Sequence, residues 1–90
     1  MSEHLTLQID PRRQTLYIYL RPVGPGGVCR TEKLHDGVLA DFDSAGDLVG
    51  VEVLGEKAVQ ALFSLLDKEA RLAPLNELAG KGDILRRLIA

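Results

Sequence analysis

A single cysteine, Cys29, is all the thiol chemistry this sequence offers, and without a second thiol there is no internal disulfide. The fold must then stand on packing alone, which suits a reducing compartment, and the cytoplasm is the expected location. No apolar run approaches the roughly 18 residues that a membrane span requires. Met1-Ser2-Glu3-His4 has neither the basic nor the apolar segment of a secretory leader, so export is not expected. An excess of one charge is missing too. The 11 basic and 13 acidic residues are interspersed and leave a formal net charge of −2. Nucleic acid or an anionic membrane surface would need Lys and Arg gathered on one face, so neither is an expected partner. No internal repeat or low-complexity stretch interrupts the ninety residues.

What is present is enough for one modest core. At 46% hydrophobic, a chain of this length fits a single domain over residues 1–90 and leaves no room for a second. Leu5, Leu7 and Ile9 alternate with Thr6, Gln8 and Asp10 as in a half-buried strand, and Pro11 interrupts the pattern because it fixes φ and lacks a donor. Residues 15–21 keep the two-residue period, with Leu16, Ile18 and Leu20 on one face and Tyr17 and Tyr19 on the other. Residues 22–27, rich in Pro and Gly, form a connection. Strands follow over 28–34, 38–42 and 48–54, separated by turns at His35-Asp36-Gly37 and Asp43-Ser44-Ala45-Gly46-Asp47.

After Gly55 the period changes to about 3.6, and Val59, Leu62, Phe63 and Leu66 share a helical stripe. Pro74 ends that run, residues 75–79 read as a short helical turn, and Asp83 can cap a last helix carrying Ile84, Leu85, Leu88 and Ile89 on one face. The expected architecture is α+β: an antiparallel β-meander of about five strands over 1–54, covered by a helical tail over 55–90. One helix suffices to cover a half-sheet. The second stripe, made by Leu75, Leu78, Ile84, Leu85, Leu88 and Ile89, is then expected to face the other side of the sheet, which carries Tyr17, Tyr19, Cys29 and Leu39, or a second copy of the chain. A homodimer using Leu78, Ile84, Leu85, Leu88, Ile89, Tyr17 and Tyr19 is the expected assembly.

The segments Leu16-Tyr17-Ile18-Tyr19-Leu20, Arg30-Thr31-Glu32, Asp36-Gly37-Val38-Leu39-Ala40-Asp41-Phe42-Asp43 and Gly46-Asp47-Leu48-Val49-Gly50-Val51-Glu52-Val53-Leu54 occur in that order. Over roughly residues 5–54 the chain resembles the bacterial and archaeal domain of unknown function family 2283. These proteins often carry an acidic residue two places before the Leu-Tyr pair, where Gln14 stands here. The resemblance implies a small single-domain protein with no assigned activity. It also implies a possible role as a partner of a small toxin-like protein, because some members are encoded beside such proteins.

Several constellations could carry chemistry. Asp41, Asp43 and Glu52 fall at positions 1, 3 and 12 of a calcium-loop spacing in which Ala45 replaces one ligand, but the flanks alternate as strands. Either an acidic turn or a divalent-cation site fits them. Cys29, His35 and Asp36 contain the residue types of a nucleophile, base and orienter, although His35-Asp36-Gly37 is accounted for as a turn and Cys29 as packing. His4, His35 and Cys29 lack the close spacing of metal ligands. Gly24-Pro25-Gly26-Gly27 precedes a strand, where a phosphate cradle needs a helix N-terminus. The expectation is therefore a non-enzymatic interaction module without a cofactor, which self-associates or binds one dedicated protein partner. The alternative is a small-molecule or cation-binding module built on Asp41, Asp43 and Glu52.

Overall fold

The computed structural model describes residues 5–21 and 26–89. Most of the Pro/Gly connection, residues 22–25, and His4 lie outside them. The alternating stretches form β1 (Thr6–Asp10), β2 (Thr15–Tyr19), β3 (Arg30–His35), β4 (Val38–Phe42) and β5 (Leu48–Leu54). All neighbours are antiparallel, and the order is β1-β2-β5-β4-β3. Sequence order would place β2 beside β3, so the sheet is not a plain meander. Instead β1–β2 is one hairpin, β3–β4–β5 is a three-stranded meander, and β5 closes onto β2.

The register explains why β5 belongs in the centre. Its valines pair outward on both sides: Val51 and Val53 oppose Ile18 and Leu16 of β2, and Ala40 and Val38 of β4. With Leu7 and Ile9 opposing Ile18 and Leu16, one face of the sheet becomes a continuous apolar surface. A strand with fully apolar alternate positions is worth most in the middle, where both neighbours bury it. Val49 is the extra residue of a bulge, since Asp41 pairs Gly50 while Phe42 pairs Leu48.

Gly55 turns the chain off the sheet with φ 103° and ψ 163°, a region closed to residues with a Cβ, and α1 (Glu56–Leu66) starts there. α1 lays Ala58, Val59 and Leu62 on the apolar face. The next segment departs from the expected short turn. Ala70–Leu78 is a 3₁₀ helix that runs through Pro74, and Leu72, Leu75 and Leu78 are its buried residues. Their spacing of three is the period of a 3₁₀ helix, which puts every third side chain directly above the last. Arg71 fastens this helix to the sheet by pairing with Glu32 on β3 and with Glu69, both at 2.8 Å. The guanidinium holds both carboxyls below the usual carboxylate range.

α2 (Gly82–Ile89) sends Leu85 and Ile89 into the same core as α1, the 3₁₀ helix and the sheet. Asp83 stands in its first turn and pairs with Arg86. The second aliphatic stripe is thus divided. Leu75, Leu78, Leu85 and Ile89 pack within their own chain, because three short helices rather than one cover the apolar face. Ile84 and Leu88 stay exposed, at 57% and 39%. The interface expected of Leu78, Leu85 and Ile89 is therefore corrected: these side chains are core.

Candidate functional site: the open face of the sheet

The described helices all pack on the apolar side, and among the described residues nothing covers the opposite face of the sheet. Alternation sends Gln8 of β1, Tyr17 and Tyr19 of β2, Glu52 of β5, Leu39 and Asp41 of β4 and Thr31 of β3 to it, and their register sets them side by side. Tyr17 and Tyr19 stack with ring centroids 4.1 Å apart. They can do so because Gly50 leaves a gap beneath them. A Cβ at Gly50 would lie 2.6 Å from Tyr17 Cε1 and 2.7 Å from the Ile18 carbonyl oxygen. Replacing Gly50 by alanine should therefore lift the Tyr17 ring and strain the β2–β5 ladder, at a cost of about 1–3 kcal/mol. Urea unfolding would read the loss, and tyrosine ring shifts in NMR spectra the displacement. An unchanged pair of tyrosines would refute this account of Gly50.

The polar groups between the strands are tied together. The Tyr17 hydroxyl and the Thr31 hydroxyl both donate to the Asp41 carboxylate, and the Tyr19 hydroxyl donates to Gln8 Oε1 at 3.0 Å. Desolvation, with the neighbouring Glu52 charge as a smaller contribution, pushes the Asp41 carboxyl above its ordinary value of 3.8. Neither Asp41 nor Glu52 has an ion-pair partner among the described residues. An open recess of about 460 Å³ runs along the β1 side of the face, where Gln8, Asp10, Arg12, Tyr17, Tyr19 and Glu52 line it.

The raised Asp41 value has a definite sign. The folded state holds this proton more tightly than the unfolded chain, so ionising Asp41 destabilises the fold above the raised value, and the penalty vanishes below the ordinary one. An Asp41→Asn variant, which keeps an acceptor oxygen, should melt higher than the native chain near neutral pH. The gap should close as the pH falls through the range between the raised value and 3.8. Melting curves across that range check this, and a gap that widened on acidification would reverse the sign.

The three carboxylates of the calcium-like spacing do not converge. Asp43 closes its own turn, accepting the N–H groups of Ala45 and Asp47 at 2.9 Å each and pairing with Arg21, which holds its carboxyl below the usual range. Asp41 and Glu52 stand instead on the open face. Among the described residues no group of three or more His, Cys, Asp or Glu side chains is arranged to hold a metal ion. Cys29 and His35 flank opposite ends of β3, about 20 Å apart at strand rise, so Cys29, His35 and Asp36 form no constellation. A larger cleft, of about 530 Å³, lies between α1 and α2, but its arginine, Arg86, is already paired with Asp83 and Glu56.

Three members of the site, Gln8, Thr31 and Gly50, are not singled out by the sequence pattern. Gly50 had a usable signal, because glycine inside a strand marks a close approach. Thr31 and its bond to Asp41 had none. Among known proteins, the model of a family described as "Protein of unknown function (DUF2283)" matches residues 7–57. That segment contains every residue of the open face named above and stops at the start of α1. No curated protein and no solved structure matches the chain.

Proposed function

Since the chain belongs to the DUF2283 family of proteins of unknown function, its role has to come from its own geometry, and we propose that it is a non-enzymatic interaction module whose open sheet face binds one dedicated, basic protein partner. One observation carries this reading: a sheet face that no described element covers bears two stacked tyrosines and two carboxylates without cationic partners among the described residues. A domain that needed only to fold would gain nothing by leaving Tyr17, Tyr19 and Leu39 half-exposed beside a carboxyl kept above its ordinary value. Tyrosines combine large contact area with few rotamers to freeze, which favours them in protein interfaces. A Lys or Arg brought against Asp41 and Glu52 would neutralise their repulsion and could stack on the tyrosine faces. Neutralisation of a small toxin-like protein is the sharper form of this role.

The divalent-cation alternative loses one of its three carboxylates to the Asp43 turn. The cytoplasmic location expected from the lone cysteine accords with such a partner. No helix of the described chain is long and apolar enough to cross a membrane.

The test is to purify the native chain and a Glu52→Lys variant side by side from the source cells and to weigh each by native mass spectrometry. A stoichiometric second protein should accompany the native chain and be lost from the variant while circular dichroism stays the same. The reading fails if the variant keeps the partner, or if the native chain carries none.

A further inference from the structure

The two edges of the sheet are built differently. β3 closes one side with Arg30, Glu32, Lys33 and His35, and its ladder is irregular between Lys33 and His35. Charges and irregularities of that kind stop a further strand from adding. β1 closes the other side without either device. It pairs with β2 in unbroken register from Thr6 to Asp10, and its single charged residue is the last. Along its outer side the alternate N–H and C=O groups have no strand to meet among the described residues.

α2 rides over this same edge, packed against α1 and β1. Leu85 and Ile89 face the core, while Gly82 and Arg86 line the cleft toward α1. At 3.6 residues per turn, Ile84 and Leu88 then fall about a quarter turn round the helix on the flank away from α1, which is the β1 side. They are two of the three large apolar residues exposed on the described chain. An unpaired strand and an i, i+4 apolar pair thus lie next to one another.

We infer that a second copy of this chain docks on the β1 edge, pairing β1 with β1 about a two-fold axis so that two five-stranded sheets become one of ten strands. Two identical antiparallel strands are self-complementary, and the two-fold closes the assembly at a dimer. Centring the axis on Gln8 is the register that pairs all five residues, with Leu7 opposite Ile9 and Thr6 opposite Asp10. An axis normal to the sheet keeps both helical layers on one side. The α2 helices then meet antiparallel, Ile84 of each against Leu88 of the other. Both open faces lie together on the opposite side, and their tyrosine pairs stand about three strand spacings, or 14 Å, apart. The dimer goes beyond the partner-binding reading and does not depend on it, but it would make that binding bivalent.

Sedimentation equilibrium from about 1 to 100 μM on the native chain and on an Ile84→Glu/Leu88→Glu double variant is the test. The native chain should be dimeric. The double variant should be monomeric, with at least about hundredfold weaker association, since charges would be buried unpaired. Both positions are exposed, so circular dichroism should not change. In a second measurement, Gln8→Cys in a Cys29→Ser background should form a covalent dimer on mild oxidation, because self-opposed Cβ atoms lie about 4.5–5.5 Å apart. A monomeric native chain, a dimer indifferent to the double substitution, or a dimer that does not cross-link at position 8 would each overturn the inference. Glu52→Lys leaves the β1 edge untouched, so loss of the partner in that variant and loss of the dimer in this one are separate results.

Discussion

Replacing Leu85 by lysine should unfold the chain, whereas the same replacement three residues on, at Leu88, should leave it folded. Leu85 is 2% exposed and packs with the sheet, and Leu88 is 39% exposed. Removing a buried leucine costs about 2–5 kcal/mol, and the ammonium must also stay ionised in an apolar site or reach water by opening the helix from the sheet. A domain of this size holds about 5–13 kcal/mol in total, so the first loss takes most of it. α2 has only eight residues and has no stability apart from this packing. Thermal melts of the two variants decide the matter, and a Leu85→Lys protein that melted like Leu88→Lys would place α2 off the sheet.

The second large effect is expected at Phe42. Its ring is 1% exposed at the end of β4, and the guanidinium carbons of Arg30 and Arg71 each lie 5.0 Å from its centroid. Truncation to alanine should cost about 3–5 kcal/mol from the lost burial and the cavity. Each cation–π contact adds roughly 0.5–1 kcal/mol at a site as exposed as these arginines. Arg71 also ties the 3₁₀ helix to β3 through Glu32, so the loss of its platform should loosen that seam as well. Urea midpoints compare Phe42→Ala with Phe63→Ala, whose half-buried ring should cost less. Equal losses at the two positions would show that the arginine-flanked ring is not a keystone.

The two effects are not equally legible in the sequence. Phe42 sits at an alternating strand position, and its burial follows from the pattern. In the sequence Leu85 and Leu88 form one stripe, because a short amphipathic helix has a greasy side whatever it meets, and only the packed neighbours divide that side into core and surface. The leucines at 72, 75 and 78 carried a period of three, but Pro74 in their midst read as a break rather than as part of a 3₁₀ helix. At the open face, Tyr17 and Tyr19 were separated from the core face by strand alternation alone. Their contact with Gly50 and the bond from Tyr17 to Asp41 link residues more than 20 positions apart, for which no local pattern exists.

The amino-acid sequence alone determined what is local. Its two-residue periods gave the five strands, the turns at Gly37 and Gly46 separated them, and Gly55 marked the change to helix. These features follow from side-chain spacing and from left-handed backbone conformations that favour glycine. Tertiary structure decided the rest. It inserted β5 between β2 and β4, gathered the described helices on one side, and thereby left the tyrosine face and the β1 edge uncovered among the described residues. Those outcomes depend on which distant apolar surfaces bury one another best, a sum over the whole chain that no single segment records.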